Sequence, residues 1–523
     1  MARGLGPTLQ HYSSSTSGAF LVKEVEHVQS DQVERRLLKQ RFNVWSVIGI
    51  NFSLTATPLG IGSYLVFTVG VGGPPFFIYA YAFAVVMQLM VCLSLAEMAA
   101  SLPHVSGQIF WAAAFAPPKS ARLLSYWAGA LTVMSWTFAT GGCFVLAAKM
   151  VAAFAVLVAT GYQIQPYHIF LLALAAAILS LAFNIWLFQW VPKVACFLIV
   201  FINVGTVFIL VALLVRTQHK AAASSVFTNI VNETGWSSNA LVFCLNILPG
   251  SLSVCAFDTA AHMAEEMPRP QRHIPQVMVY TAMLSAVGGL IMAIVYQFCT
   301  TDPVALLNPI GGQPIFQLLL DSLRSRPLVI LAAIVYCTVV VVGCIFFVTT
   351  LSRIIWSFSS HGGTCFGTTL GAVDPTFGLP VNAVYATTAV TSLVCVLELG
   401  PNFVMNALFG ASGVCAAWSF SIPIWCLLFA QGGRQRLASN RPFSMKRMGF
   451  IVNIVAAAWE IFQSLFLAFP VYYPVTAANM NWVVVVLIAG VAVFGLNWYC
   501  FARHYYQTPK AMFVEADETA NAS

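Results

Sequence analysis

The sequence predicts an all-α polytopic membrane protein of twelve transmembrane helices, folded as a five-plus-five inverted repeat with helices 1 and 6 broken. Three observations predict it. Apolar windows of about 20 residues, the length that crosses a bilayer, recur along nearly the whole chain. Two of those windows are interrupted by Pro and Gly where a spanning helix should be continuous, at 53–62 (SLTATPLGIG) and 247–253 (ILPGSLS). Basic residues also alternate between successive loops, which makes each interrupted span the first of a group of five.

Composition supports the class. The chain is 59% hydrophobic and 8% charged, against roughly 25% charged in soluble domains. Residues 1–42 are polar, Ser-rich and charged, and read as a disordered cytosolic tail without a cleavable signal peptide. Spans 1–5 are expected near 43–70, 76–98, 122–156, 166–188 and 192–215, so the first repeat covers 43–215. A polar extracytosolic loop, 216–238, follows. Spans 6–10 are expected near 239–262, 275–299, 328–358, 382–399 and 402–430, giving a second repeat over 239–430. A basic cytosolic loop and spans 11–12, near 447–470 and 479–502, fill 431–502. Residues 503–523 form a cytosolic C-terminal tail.

Orientation follows from Lys and Arg. The N-terminal tail carries Arg35, Arg36, Lys39 and Arg41, and alternate loops carry Lys119 and Arg122, Lys193, Arg269 and Arg272, and Arg434 through Arg447. The intervening loops hold Arg216, Lys220, Arg324 and Arg326 only. By the positive-inside rule both termini are cytosolic. The net charge of +7 is thereby accounted for without a nucleic-acid partner. In the outside loop, Asn232-Glu233-Thr234 is a sequon on the side where glycosylation occurs. The sequon at Asn51 lies inside a span, and the one at Asn521 lies in the cytosolic tail. Residues 306–316 suggest an ordered loop over the outside end, and Ile109-Phe110-Trp111 a short re-entrant or interfacial segment at the inside end. The thirteen Cys lie almost all within spans, with no CxxC pair, so neither a disulfide framework nor a metal site is expected, and no cofactor.

Unpaired backbone in a bilayer is tolerated only where it is buried in protein or lines a water-filled cavity. Two matched broken spans therefore point to a central binding site built from freed backbone groups, as in inverted-repeat transporters. A channel would need a repeated constriction, and none is present. A membrane enzyme would need a His/Asp or metal-ligand cluster at one face, but the nine His are scattered.

The stretches SLAEMAASLPHVSGQIFW (94–111), FDTAAHMAEE (257–266), SRIIWSFSSHGG (352–363) and FPVYYPVTAANMNW (469–482) resemble the fungal amino acid/choline permeases of the amino acid–polyamine–organocation (APC) superfamily. The resemblance runs from about residue 40 to 505. It implies the five-plus-five fold and secondary transport of an amino acid, GABA, choline or a polyamine, usually by proton symport. The alternatives are an exchanger or exporter of a small metabolite, or a polytopic membrane enzyme. The resemblance is compatible with the plasma membrane first and the vacuolar membrane second.

Substrate binding is expected at Ser53, Thr55, Thr57, Gly60 and Gly62 on one break and Gly250, Ser251 and Ser253 on the other. Freed amides suit a carboxylate and freed carbonyls an amine. Trp136, Phe257 and Trp418 are candidate aromatic walls for an ammonium group. Asp258, His262 and Glu265 stand at i, i+4 and i+7 and share one face of the inner half of span 6, where intramembrane charges mark coupling or gating. The proton is the expected coupling ion; nothing supports a sodium site. Glu266 is expected to pair with a nearby Arg, Lys149 to snorkel to the outer interface or meet substrate, Glu97 to gate or anchor the inner end of span 2, and Glu460 to face a neighbouring helix or subunit.

Overall fold

Membrane-length helices are found at every one of the twelve expected places. The computed structural model describes residues 38–510 apart from 160, 400–403, 431 and 477–478. Most of the expected N-terminal tail (1–37) and the end of the C-terminal tail (511–523), with the Asn521 sequon, lie outside the described residues. Spans 1–6 are Val44–Thr68, Gly73–Ser101, Pro118–Val158, Pro166–Ile185, Phe188–Arg216 and Asn239–His262. Spans 7–12 are Pro270–Cys299, Arg326–Ser360, Val381–Leu399, Met405–Phe429, Met448–Leu467 and Val483–Tyr505.

Local chemistry starts these helices where they start. Asn43 caps span 1, its side chain accepting from the Ser46 amide (2.8 Å) while its own amide donates to Ser46 Oγ (3.0 Å). Pro stands in the first turn of spans 2, 3, 4 and 7, where its missing N–H costs no helical bond. Span 1 is the most buried and span 12 the least. Outward-facing Leu171, Ile178, Phe197, Val200, Val204 and Val207 are exposed, a belt that water would not tolerate and lipid tails match. The chain is an integral, multi-pass membrane protein.

Spans 1 and 6 are both broken, but not at their prolines. Span 1 is helical over Val44–Thr55, turns at Ala56 (φ 41°, left-handed) and restarts at Thr57–Gly60 with Pro58 in the first turn. Span 6 runs as Asn239–Leu245 and Leu248–Ser253, unwinds at Val254–Cys255, and resumes as short turns over 256–266. The expectation that Pro58 and Pro249-Gly250 are the breaks is thus corrected. A ring that fixes φ and lacks an N–H is favoured at the start of a half-helix, so each Pro marks a restart, and the unwound residues lie before it in span 1 and after it in span 6.

Two layers close the ends. At the end bearing the basic loops, the loop 102–107 and the helix Gln108–Phe115 tuck beneath span 6, with Ile109, Phe110 and Trp111 buried. Of the two expectations for this segment, re-entrant or interfacial, its burial favours the first. Glu97 is held by Arg434 (2.5 Å), Arg441 (2.9 Å) and the Met445 amide (3.0 Å), which folds the basic loop back onto span 2 and makes Glu97 an anchor. Residues 38–42, assigned to a disordered tail, are packed instead: Leu38 and Phe42 are buried, and the amides of Arg41 and Phe42 donate to the Glu266 carbonyl (3.3 and 3.2 Å). Two apolar side chains and a carbonyl needing donors account for the difference. At the opposite end, the helix Pro314–Leu323 lies over the bundle and its Ile315 packs on Gly62.

Candidate functional site

The two breaks touch. Thr57, at the restart of span 1, donates its hydroxyl to the Ser253 carbonyl at the end of the first half of span 6 (2.6 Å). A helix leaves its last four carbonyls without intrahelical partners, and in span 6 side chains take over: Gln88 of span 2 donates to Ser251 (3.1 Å) and the Cys255 thiol to Leu252 (3.1 Å). Span 1 treats its own last turn differently. Ser53, Leu54, Thr55 and Ala56 border a cavity of about 60 Å³, completed by Gly60 and Ser63, by Cys143, Leu146 and Met150 of span 3, and by Tyr336, Gly343 and Phe347 of span 8. A smaller void of about 10 Å³, room for a single water, lies between Asn51 and Thr55, the span 6 break at Val254–Phe257, and Thr281 and Ser285 of span 7. Thr55 borders both. No carboxylate, ammonium, guanidinium or imidazole lines either void. Both are far below the roughly 300 Å³ at which ligand pockets begin, so the site is closed in this state.

Asp258 lies beside this region in a nest of donors. Its Oδ2 accepts from Gln108 Nε2 (3.1 Å) and Trp136 Nε1 (3.2 Å), and Gln108 Nε2 also donates to Thr132 Oγ1 (3.1 Å). The carboxyl group is 1% exposed. His262, one turn on, sets its Nε2 at 3.4 Å from the same oxygen. Its Nδ1 is 2.9 Å from the Val105 carbonyl. A carbonyl only accepts, so Nδ1 carries the hydrogen and Nε2 turns toward Asp258 either a lone pair or a second proton. A proton between them converts an acceptor–acceptor contact into a charge-assisted hydrogen bond.

The remaining expected residues divide. Ser53, Thr55 and Gly60 border the larger cavity; Phe257, packed on Phe420 (5.3 Å between rings), borders the smaller. Trp136 reaches the cavity through Phe347, its ring 5.9 Å away. Thr57, Ser251 and Ser253 join the breaks to each other and to span 2 and do not line a void. Gly62 and Gly250 lie apart from both voids. A Cβ at Gly62 would stand 2.8 Å from Ile315 Cδ1, and one at Gly250 would stand 2.8 Å from the Tyr81 carbonyl oxygen, so both glycines serve close packing. Glu265 accepts from the Leu38 amide (3.2 Å) at the basic end, and Glu266 pairs with Arg353 (2.9 Å) as the sequence suggests. Lys149 neither snorkels nor meets the cavity: it pairs with Glu398 at the end of span 9 (2.5 Å). Trp418 faces outward, 46% exposed, and walls nothing. Sequence reasoning missed Gln88, Gln108, Thr281 and Ser285. Their one signal was a neutral polar side chain inside an apolar helix, where a hydrogen-bonding partner on another helix is required.

A bundle of membrane-length helices, two of them unwound against each other around a small closed cavity, defines a membrane protein of the transporter class, in which irregular backbone survives only at a site. The comparisons agree. The sequence profile of the family described as amino acid permease matches residues 42–491, and the chain belongs to that family. A choline transporter of Saccharomyces cerevisiae is 27% identical over 88% of this chain and 81% of its own. An amino-acid permease of Arabidopsis thaliana is 25% identical over 97% of this chain and 99% of its own. A 7-keto 8-aminopelargonic acid transporter of Saccharomyces cerevisiae is 25% identical over 88% and 92%.

Proposed function

We propose that the protein is a secondary active transporter that moves an amino acid or a related small amine by alternating access, with protons as the driving ion. The observation that carries this reading is the cavity against the last turn of the first half of span 1. Its lining has no charged side chain, so a bound charge is met by helix-end dipoles, and the C-terminal end of a half-helix is the negative one. That end suits a cationic nitrogen, with the Phe347 and Tyr336 rings beside it. The similar proteins are named for choline, amino acids and 7-keto 8-aminopelargonic acid, each of which contains such a nitrogen.

In this reading, residues 43–215 and 239–430 are two inverted units whose broken first helices share the substrate. The Asp258–His262 pair takes up and gives back the coupling proton. Both termini face the cytosol of a plasma-membrane protein. Asn232 would then face outside, where its side chain is half-exposed and bonded to Thr234 (2.8 Å) and Trp236 (2.8 Å), and it is the proposed glycan site. A gel shift reversed by enzymatic removal of the sugar and absent in Asn232→Gln is expected; labelling of residue 232 from the cytosol would overturn the orientation. The functional test is uptake in a transport-deficient cell, with amino acids, GABA, choline and polyamines as competitors. Saturable accumulation above the outside concentration, suppressed by one of these groups, is expected. Flux that only equilibrates, or that no amine competes, would overturn the reading.

A further inference from the structure

Glu460 lies in span 11, outside both proposed repeats, and it is 1% exposed. Among the described residues no Lys, Arg or His pairs with it. It does not face lipid or a second subunit. It faces Gln463 one turn along its own helix, whose Nε2 donates to Glu460 Oε2. Gln463 Oε1 in turn accepts from Gln88 Nε2 of span 2 (3.2 Å), and the same Gln88 nitrogen donates to the Ser251 carbonyl, one of those left open by the break in span 6 (3.1 Å). An intramembrane carboxyl is thus joined by two amides to the broken helix. Three oxygens along this chain, Glu460 Oε1, Gln88 Oε1 and Ser251 Oγ, are buried without a hydrogen-bond partner.

We propose that Glu460 is a second proton-binding site, and that its proton sets, through Gln463 and Gln88, whether the Ser251 carbonyl at the span 6 break is held by span 2. The reason is the polarity of the relay. With Glu460 ionised, each amide must present its N–H toward the carboxylate side, as observed, and Gln88 Nε2 is shared between Gln463 and Ser251. With a proton on Glu460 Oε2 the carboxyl becomes a donor. Gln463 then turns its oxygen to that O–H and its N–H₂ to Gln88. Gln88 turns its now unpartnered oxygen to Gln463, and its N–H₂ leaves Ser251. The proton changes which of two hydrogen-bond sets is formed, and only the ionised set holds the break.

The titratable groups on the elements packed against span 11 are few. Span 2 carries Tyr79, Tyr81, Cys92 and Glu97, the last fixed by Arg434 and Arg441 at the basic end. Span 10 carries Cys415 and Cys426, and span 6 carries Cys244, Cys255, Asp258 and His262. Cys255, inside the break, has both Glu460 and Asp258 as charged neighbours.

This inference deepens the transport reading, and its test is independent of transport. Infrared difference spectra of the full-length protein in lipid, taken against pH without substrate, report protonated carboxyl groups directly. Hydrogen–deuterium exchange at matched pH reports the span 6 backbone. In the parent, a protonated carboxyl band is expected to titrate together with a change in exchange over 251–258. Glu460→Gln is expected to lose that band and the change. Gln88→Leu, which keeps the carboxyl and cuts the relay, is expected to keep the band and lose the change. The proposal is overturned if Glu460→Gln removes no titrating carboxyl component of the parent spectrum, Asp258→Asn identifying the component of the other acid, or if Gln88→Leu leaves the exchange response at the parent level. A protein that passes both tests yet concentrates no amine would retain the proton site and refute the transport reading alone.

Discussion

Asp258→Asn is expected to abolish pH-driven accumulation of substrate while sparing exchange of substrate across the membrane. The amide oxygen of Asn can still accept from Gln108 and Trp136, so the nest that surrounds Asp258 Oδ2 keeps its geometry. What is lost is the carboxylate 3.4 Å from His262 Nε2, the group proposed above to carry the coupling proton. Flux would then run down the substrate gradient only. Asp258→Ala should be worse, because it strands the Gln108 and Trp136 donors in the interior, at about 1–3 kcal/mol for each unsatisfied group. Counterflow in reconstituted vesicles, measured with and without a pH gradient, separates the two effects. If Asp258→Asn still concentrates substrate with the pH dependence of the parent, Asp258 is a structural acceptor and the driving force enters elsewhere.

Arg353→Ala is expected to produce the largest loss of stability of any single substitution at the basic end. Arg353 is fully buried, donates to Glu266 (2.9 Å) and lies over the Phe188 ring, 4.7 Å from its centroid. Removing one member of a buried ion pair leaves the other charge uncompensated, a cost of about 3–5 kcal/mol. Replacing both, as Glu266→Gln with Arg353→Met, should recover much of it, since the penalty belongs to the stranded carboxylate. Thermal unfolding in detergent decides. A single variant that melts with the parent, or a double variant that melts no higher than the single, would show that the pair is not what holds spans 6 and 8 together.

The spans were legible because lipid demands long apolar runs and admits few imitations. The broken spans were legible for a related reason, since Pro and Gly stand out in such runs, but their grammar was misread. Pro58 and Pro249 were read as the points of unwinding, whereas a proline is also the residue best suited to begin a half-helix. Asp258 and His262 were found from spacing on one helix. The partners that define them, Gln108 and Trp136, come from other segments, and no local pattern announces a contact across that distance in sequence. The same limit hid the pairing of Lys149 with Glu398 and the relay from Glu460 to Ser251. Polar residues in an apolar helix reveal that a partner is needed; the packing alone reveals which.

The positions of the ties on either side of the breaks have a mechanical consequence. Beyond the breaks, Thr57 is fastened to Ser253; at the basic end, Arg41 and Phe42 at the threshold of span 1 are fastened to Glu266 just past span 6. Between these two fastenings lie Ala56 and Val254–Cys255, where no continuous helix resists twisting. The two broken helices therefore form a jointed pair of rods, clasped to each other on both sides of the joint. In the transport reading proposed above, tilting one half would carry its clasped neighbour with it and leave the other half at rest.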